Sequence, residues 1–527
     1  MSVSLLNACS PETFSTLSVF GAEILSINAA LVTNYSASVP DAYRFTQPTT
    51  ELHNATFCNI TVSYTHPGQD DNVNVEAWLP INNFNGRLQA VGGGGWVAGG
   101  FFLSYGAMNG ALADGYATIT TNAGLPESPD SWALLSPGNV NLHLLQNLGS
   151  VSLNDQATIG KLLVKSFYGK GPEYSYFNGC SQGGRQALML AQRYPTAYDG
   201  IAAGAPASPW TELFPYMLWA QQFMNMLGAY PYGCELDAIT AAAVSACDGL
   251  DGVVDGVVGD TDACLAHFDP LGLVGTVINC TEAGGEVQIS PGAAAVANAT
   301  WHGTVTADGK QTSYGITPGS DLTGRSSNGQ AALAVTNCTT GSCVGAPVDM
   351  GVHWIKLFVA RDPEFDISNL THAEFDRLAH LGRQMYGSLI DANDADLAAF
   401  RDAGGKMVSF HGLADNIIPP KNTEKYYNEV ASIHPDIDNF YRHYNAPGLG
   451  HCWGGVSGPP TNLFAQLRAW VENGTAPGPT PVNITDLEGS LQPRILCPYP
   501  REAKLDVECG NSSVAECWSC TAKAKAC

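Results

Sequence analysis

The sequence predicts an α/β fold interrupted by a large insertion, and three observations carry this. Short apolar runs alternate with helical patterns from Phe57 to about Ala207. The alternation is lost between Ser208 and Ala395, and it returns at Met407. In chain order, Thr61-Val62-Ser63-Tyr64 and Val73 to Leu79 read as early strands, and Leu88 to Val91 as a strand that runs into Gly92–Gly95. Gly115 to Thr121 is a further strand, and Asn139 to Tyr168 has helical spacing. Tyr174 to Phe177 is a short aromatic strand, Gly184 to Arg193 a helix, and Asp199 to Pro206 a strand and loop. The middle region holds a helix near Cys234, an Asp-Gly run and a Gly/Ser/Thr-rich stretch from Asn279 to Gly345. Met407 to His411 and Asn439 to Tyr444 resume the strands. The expected division is a catalytic domain of residues 1–207 and 396–527 around an inserted lid domain of residues 208–395. No internal repeat is evident.

The chain has 527 residues, enough for a large core and two domains. Its 24 basic and 48 acidic side chains give a net charge of −24 with no basic stripe, which excludes a nucleic-acid backbone as partner. No stretch is apolar for long enough to span a bilayer, so no membrane partner is expected. Fifteen cysteines point to an oxidising compartment. Ten N-x-S/T sequons agree, at Asn34, Asn54, Asn59, Asn279, Asn298, Asn337, Asn369, Asn473, Asn483 and Asn511. The start, Met1-Ser2-Val3-Ser4, lacks a basic, apolar leader and reads as a mature secreted chain whose signal peptide was replaced by Met. The odd cysteine count leaves at least one thiol free or paired outside the chain. Five cysteines lie in the tail, at 497, 509, 517, 520 and 527. The C-x-x-C pair there has no second pair to complete a zinc site, so a stapled tail is expected.

Gly179-Cys180-Ser181-Gln182-Gly183 fits G-x-S-x-G between a strand and a helix, the context of a nucleophile elbow. This makes the expected architecture an α/β-hydrolase fold with a large inserted lid. Glycines beside the serine leave room in a tight turn and tolerate backbone angles that other residues avoid. A serine nucleophile needs a base, and the base needs an acid to orient it, in the chain order Ser, Asp, His. Two loops after predicted strands supply them: Asp415 in His411-Gly412-Leu413-Ala414-Asp415, and His451 in Gly448-Leu449-Gly450-His451-Cys452. His411 and His443 also lie near strand ends but lack a glycine-flanked loop. Asp391, Asp394 and Asp396 read as solvated helix-cap acids. If Ser181 and His451 meet, Cys180 and Cys452 are neighbours, and a disulfide between them would pin the two loops. The oxyanion hole should use the amide of Gln182 and one from the Gly92–Gly95 cluster, Gly95 first and Gly94 next.

Asp248, Asp251 and Asp255 crowd three carboxylates into one Asp-Gly run. Calcium takes about six to eight oxygens, whereas a set of Asp-Gly turns takes no ion. The run is not an EF-hand, since Gly259 stands at the twelfth position. From the residues alone both readings stay open.

The CS…D…HC arrangement resembles the tannase and feruloyl esterase family. The likeness extends over nearly the whole chain: Tyr64-Thr65-His66-Pro67-Gly68, Gly92–Gly95 with Trp96, Ser136-Pro137-Gly138-Asn139-Val140-Asn141, the elbow with Gly184-Arg185, Pro231-Tyr232-Gly233-Cys234-Glu235-Leu236, the Asp-Gly run and His451-Cys452. The resemblance implies Ser181, Asp415 and His451 as triad, a Cys180–Cys452 bridge and secretion. It implies structural Ca²⁺ held by Asp248, Asp251 and Asp255 and by the carbonyls of Val253 and Val257, with Cys247 and Cys264 bridged around the loop. No organic cofactor is implied. The activity it implies is hydrolysis of aromatic esters, feruloyl or hydroxycinnamoyl, on plant cell-wall polysaccharide. Galloyl esters are the rival substrate, although the fungal tannases in view carry a dibasic processing site that this lid lacks. A non-catalytic binding protein on a hydrolase fold is the rival of a different class. Trp354 and Tyr386 are candidates for the acyl pocket, each with a core role as its alternative.

Overall fold

The computed structural model describes residues 2–326, 330–339, 341–506 and 508–522. Nine strands make one mixed sheet: β1 (Glu23–Val39), β2 (Thr50–Thr65), β3 (Val73–Pro80), β4 (Arg87–Val91), β5 (Ala117–Thr121), β6 (Tyr174–Cys180), β7 (Gly200–Gly204), β8 (Lys406–Gly412) and β9 (Tyr441–Ala446). Their spatial order is β1-β2-β3-β5-β4-β6-β7-β8-β9. The first strands pair antiparallel, and every pairing from β5 to β9 is parallel. Parallel strands need crossovers that cover both sheet faces, and β5 and β7 are accordingly buried at every residue.

Helices α1 (Phe102–Ala113), α2 (Ser152–Tyr168) and α3 (Gln182–Arg193) follow β4, β5 and β6. Leu163, Val164 and Phe167 of α2 and Leu188 and Met189 of α3 share one core with Ile119 and Phe177 of the sheet. The N-terminal hairpin is longer than the sequence suggests: β1 is a 17-residue strand at the sheet edge, and β2 starts well before Thr61. Most of β1 is exposed or half-buried, so it shows no apolar alternation to read.

His66, in the Tyr64-Thr65-His66-Pro67-Gly68 stretch, ties the end of β2 to α2. Its Nδ1 lies 2.6 Å from Asp71 Oδ2 and its Nε2 3.1 Å from Asp155 Oδ2, which also accepts from the Tyr64 hydroxyl. The bond to Asp155 outweighs burial and, with Asp71, raises His66 to about 9.

Among the described residues, the chain between β7 and β8 adds no strand to the main sheet. It holds α4 (Trp210–Leu227), α5 (Gly233–Cys247), α6 (Pro291–His302) and α7 (His372–Ile390). Its core gathers Trp210, Phe214, Trp219, Trp301, Trp354 and Tyr386. Trp96, just past the glycine cluster, enters this core and stacks on Phe214 at 4.8 Å and Phe358 at 5.0 Å. The insertion is thereby packed onto the loops at the carboxyl end of the sheet. After β8 come α8 (Pro420–Ile433) and α9 (Leu463–Asn473), and then two stapled hairpins.

Disulfides join Cys9–Cys58, Cys180–Cys452, Cys234–Cys280, Cys247–Cys264, Cys338–Cys343, Cys497–Cys520 and Cys509–Cys517. Both bridges expected beside the elbow and around the Asp-Gly loop are present, and the tail is stapled. Cys527 lies outside the described residues. Among the described residues, no helix is long and apolar enough to cross a membrane.

Candidate active site

Strand β6 ends in a turn that places Ser181 at φ +62, ψ −120, a backbone conformation rarely adopted by a residue with a Cβ. The strain sits on the serine and not on its glycines, since neither Gly179 nor Gly183 has a positive φ. The glycines supply clearance instead. A Cβ on Gly179 would lie 2.8 Å from the Gly183 backbone, and one on Gly183 would lie 3.2 Å from the Gly93 carbonyl. The turn is fastened by Ser181 N–H to the Gly204 carbonyl at 3.0 Å, while the Ser181 carbonyl accepts from the amides of Arg185 and Ala207. Arg185 is fully buried and donates to the carbonyls of Leu148, Gly149 and Ile390 and to Gln182 Oε1. Burial lowers Arg185 to about 9 against the opposing pull of Asp391. Asp391 is not a solvated cap: it accepts two bonds from Thr211, and burial pushes it up to about 6. Asp394 and Asp396 are exposed.

Asp415 follows β8 and is wholly buried. Its Oδ1 accepts from the amides of Ile417 and Ile418, and its Oδ2 lies 2.8 Å from His451 Nδ1. His411 Nε2 reaches the same Oδ2 at 3.1 Å, with its Nδ1 on the Thr423 hydroxyl. Burial alone would raise Asp415, but the charge and hydrogen bonds of His451 and His411 hold it well below the usual carboxylate range. His411 is therefore a support for Asp415, not a competitor of His451. Its spacing four residues before Asp415 was the available signal. His443 is buried against Ser409 and Asn445, and burial lowers it to about 3.

The Cys180–Cys452 bridge, with Cα atoms 6.0 Å apart, joins the residue before Ser181 to the residue after His451. Ser181 and His451 line one cavity of about 360 Å³ with Gly92–Gly95. Its apolar wall includes Leu213, Phe214 and Met217 of α4, together with Met350, Ile417 and Ile418. Trp354 and Tyr386 do not line it; they are buried in the core, where the Tyr386 hydroxyl donates to the Phe358 carbonyl. Among the described residues neither Ser181 Oγ nor His451 Nε2 has a hydrogen-bond partner. With Nδ1 taken by Asp415, Nε2 is the ring nitrogen left for chemistry.

The glycine amides are not equivalent. Gly92 donates to the Asn178 carbonyl, Gly93 to Gln186 Oε1 and Gly94 to the Val97 carbonyl. Among the described residues the amides of Gly95 and Gln182 have no acceptor. This distinguishes Gly95 from Gly94 as a donor to a bound oxyanion.

In the Asp-Gly loop, Asp248 Oδ1 accepts from the amides of Asp255, Gly256 and Val257. Asp255 Oδ2 pairs with Arg494 at 3.0 Å, and its Oδ1 is buried without a partner. Burial, reinforced by the charges of Asp255 and Asp248, pushes Asp251 up to about 6 against the bond it accepts from Val253 N–H. The carbonyls of Val253 and Val257 accept no hydrogen bond among the described residues. These are oxygens in surplus of donors, a set that fits a hard cation. The three carboxylates do not all lie within 4.8 Å of one another; the one such group among the described residues is Cys234, Cys280 and Glu282, whose sulfurs are already bridged.

Five parallel pairings, a serine at the end of β6 and an Asp–His pair on the loops after β8 and β9 define a protein of the α/β-hydrolase class. The chain belongs to the tannase and feruloyl esterase family of carboxylic ester hydrolases, whose profile, "Tannase and feruloyl esterase", matches residues 58–521. It is 38% identical over 491 residues to a probable feruloyl esterase of Arthroderma benhamiae, covering 91% of this chain and 88% of that one. It is 28% identical over 498 residues to a tannase of Aspergillus oryzae, covering 84% and 82%. Among solved structures, the tannin acyl hydrolase of Aspergillus niger superposes with a TM-score of 0.85 at 27% identity, over 99% of this chain and 94% of that one.

Proposed function

We propose that this protein is a secreted serine esterase that cleaves feruloyl and related hydroxycinnamoyl esters of plant cell-wall polysaccharide. The observation that carries the reading is the Asp415–His451 contact of 2.8 Å on the wall of an apolar cavity that also contains Ser181. The Ser181 hydroxyl attacks the ester carbonyl as His451 Nε2 takes its proton. Asp415 holds the imidazole in the tautomer with Nδ1 protonated and stabilises its charged form. The Gln182 and Gly95 amides bind the developing oxyanion. The protonated imidazole gives its proton to the departing alcohol, and water then cleaves the acyl-enzyme by the same route in reverse. The Leu213, Phe214 and Met217 wall suits a flat aromatic acyl group.

The Arthroderma relative supports the feruloyl reading. The likeness to tannin acyl hydrolase supports a second one, cleavage of galloyl esters. Purified protein assayed on methyl ferulate, caffeate, coumarate and gallate separates them: faster turnover of the gallate ester replaces the first reading by the second. Ser181→Ala is expected to lose turnover of every ester, and full turnover in that variant would return the protein to a non-catalytic role.

The seven disulfides among the described residues support passage through an oxidising secretory route. Of the ten sequons, Asn59 and Asn298 are half-buried and the other eight are exposed, so glycans are proposed first at the exposed sites. Calcium is proposed as a structural ion of the Asp248–Val257 loop, where it supplies positive charge for Asp251 and the unpaired Asp255 oxygen. Elemental analysis of dialysed protein tests it, and absence of calcium removes the assignment.

A further inference from the structure

The loops that carry Asp415 and His451 are backed on their far side by a cavity of about 660 Å³, bordered by Leu413, Asn416, Gly448 and Gly450. Close packing is thin on that side, so beyond the Cys180–Cys452 bridge the loops rely on hydrogen bonds. His451 N–H donates to Asn416 Oδ1 at 3.3 Å, and Asn416 Nδ2 donates to the Ala331 carbonyl at 2.6 Å. Gln330, the residue before Ala331, sends Nε2 to the His451 carbonyl at 2.9 Å and to the Trp453 carbonyl at 3.2 Å. The bonds form a closed ring. Both peptide groups of His451 are gripped, one by the neighbour of Asp415 and the other by a side chain more than a hundred residues upstream, in the insertion. Gln330 also borders both cavities, so it stands as the partition between the catalytic space and the void behind the loops.

We infer that Gln330 is a positioning residue for the catalytic base: the insertion, docked through Gln330 and Ala331, sets the imidazole of His451 against Asp415 and toward Ser181. The inference rests on the Ser181–Asp415–His451 reading and adds that the insertion is part of the catalytic apparatus, not only a cover. The geometry needs no contact between Gln330 and substrate. Removing its amide donors leaves the His451 carbonyl only the local bond from Trp453 N–H, at 2.8 Å, and unties the loop from the insertion; a base displaced by a fraction of an ångström loses rate without losing substrate affinity.

The test compares the parent with Gln330→Met, which keeps length and loses the donors, and with Gln330→Ala. Turnover of methyl ferulate or methyl gallate gives kcat and KM. Diethyl p-nitrophenyl phosphate, which phosphorylates an activated serine and expels nitrophenolate, reports on the base independently of ester binding. The expected result is a kcat lower by about tenfold, KM within about threefold, and a phosphorylation rate that falls in step with kcat. Either variant, if folded by its thermal melt, decides the matter. A kcat and phosphorylation rate within about twofold of the parent, or a loss confined to KM, overturns the assignment. Ser181→Ala and His451→Ala are run alongside: their inactivity with an unaffected Gln330 variant defeats this inference alone, while activity in them defeats the triad and this inference together.

Discussion

His411, at the end of β8, and His451, on the loop after β9, meet the same oxygen of Asp415, at 3.1 and 2.8 Å. The two rings have different tasks. His451 is slightly exposed and lines the cavity, whereas His411 is sealed between Asp415, the Ile418 carbonyl and the Thr423 hydroxyl. His411 keeps Asp415 from rotating away from His451. His411→Ala is expected to lower kcat by about 10–100-fold with little change in KM, the range for losing a hydrogen bond to a charged group. Steady-state kinetics on one aromatic methyl ester checks this, and Thr423→Val should reproduce a smaller part of the loss.

The Cys180–Cys452 bridge closes a sequence separation of 272 residues. Replacing both cysteines by alanine is expected to destabilise the protein by about 2–5 kcal/mol. It should also lower kcat more than the Cys338–Cys343 double alanine does, because only the first pair adjoins Ser181 and His451. Thermal melts and kcat for the two double variants measure the difference.

Gly184 lets α3 lie against β7: a Cβ there would stand 2.2 Å from the Gly204 carbonyl. Backbone on both sides leaves little to yield, so Gly184→Ala should cost about 3 kcal/mol or prevent folding. At Gly171 an added Cβ would meet no heavy atom within 4 Å, and φ is not positive, so Gly171→Ala should be within about 0.5 kcal/mol of the parent. Urea unfolding of the two variants provides the comparison.

His66 is raised to about 9, from an unfolded value near 6.5. A raised folded value means that the native state holds the proton more tightly than the unfolded chain. The stabilisation, about 1–2 kcal/mol once solvent screening is allowed for, is fully present below pH ~6.5 and is lost as pH rises through ~9. His66→Gln should therefore be most destabilising near pH 6 and approach the parent as pH rises past about 9. A gap between parent and variant that widens with pH would contradict the assignment.

The residues of the proposed site were more legible than the architecture around them. Gly179 to Gly183 and the glycine-flanked His451 show themselves locally, because a tight turn at the strand end and a glycine-rich loop need particular residues at adjacent positions. The Cys180–Cys452 bridge beside them follows from adjacency. What escaped is non-local. β1 is an exposed edge whose partner, β2, supplies its regularity, and nothing in Glu23–Val39 alone demands a strand. Asp391 has the composition of a solvated cap, and only its contact with Thr211, 180 residues away, makes it a half-buried, hydrogen-bonded acid. Trp354 and Tyr386 are aromatic like a pocket wall, but the packing of α4 against α7 draws them into the core. The Gln330 ring spans a separation of 121 residues, and Gln330 itself lies in a Gly/Ser/Thr-rich stretch that carries no periodicity.

The covalent tie between Cys180 and Cys452 has a consequence for how such a chain diversifies. It clamps the two ends of a long excursion whose interior includes the entire region between β7 and β8. Additions, deletions or rewritten surfaces inside that excursion leave Ser181 and His451, the proposed nucleophile and its proton acceptor, tethered at a fixed span. The tether thus separates tolerance from reactivity: selection is free to remodel what the enzyme recognises while the bond-breaking pair stays where it was.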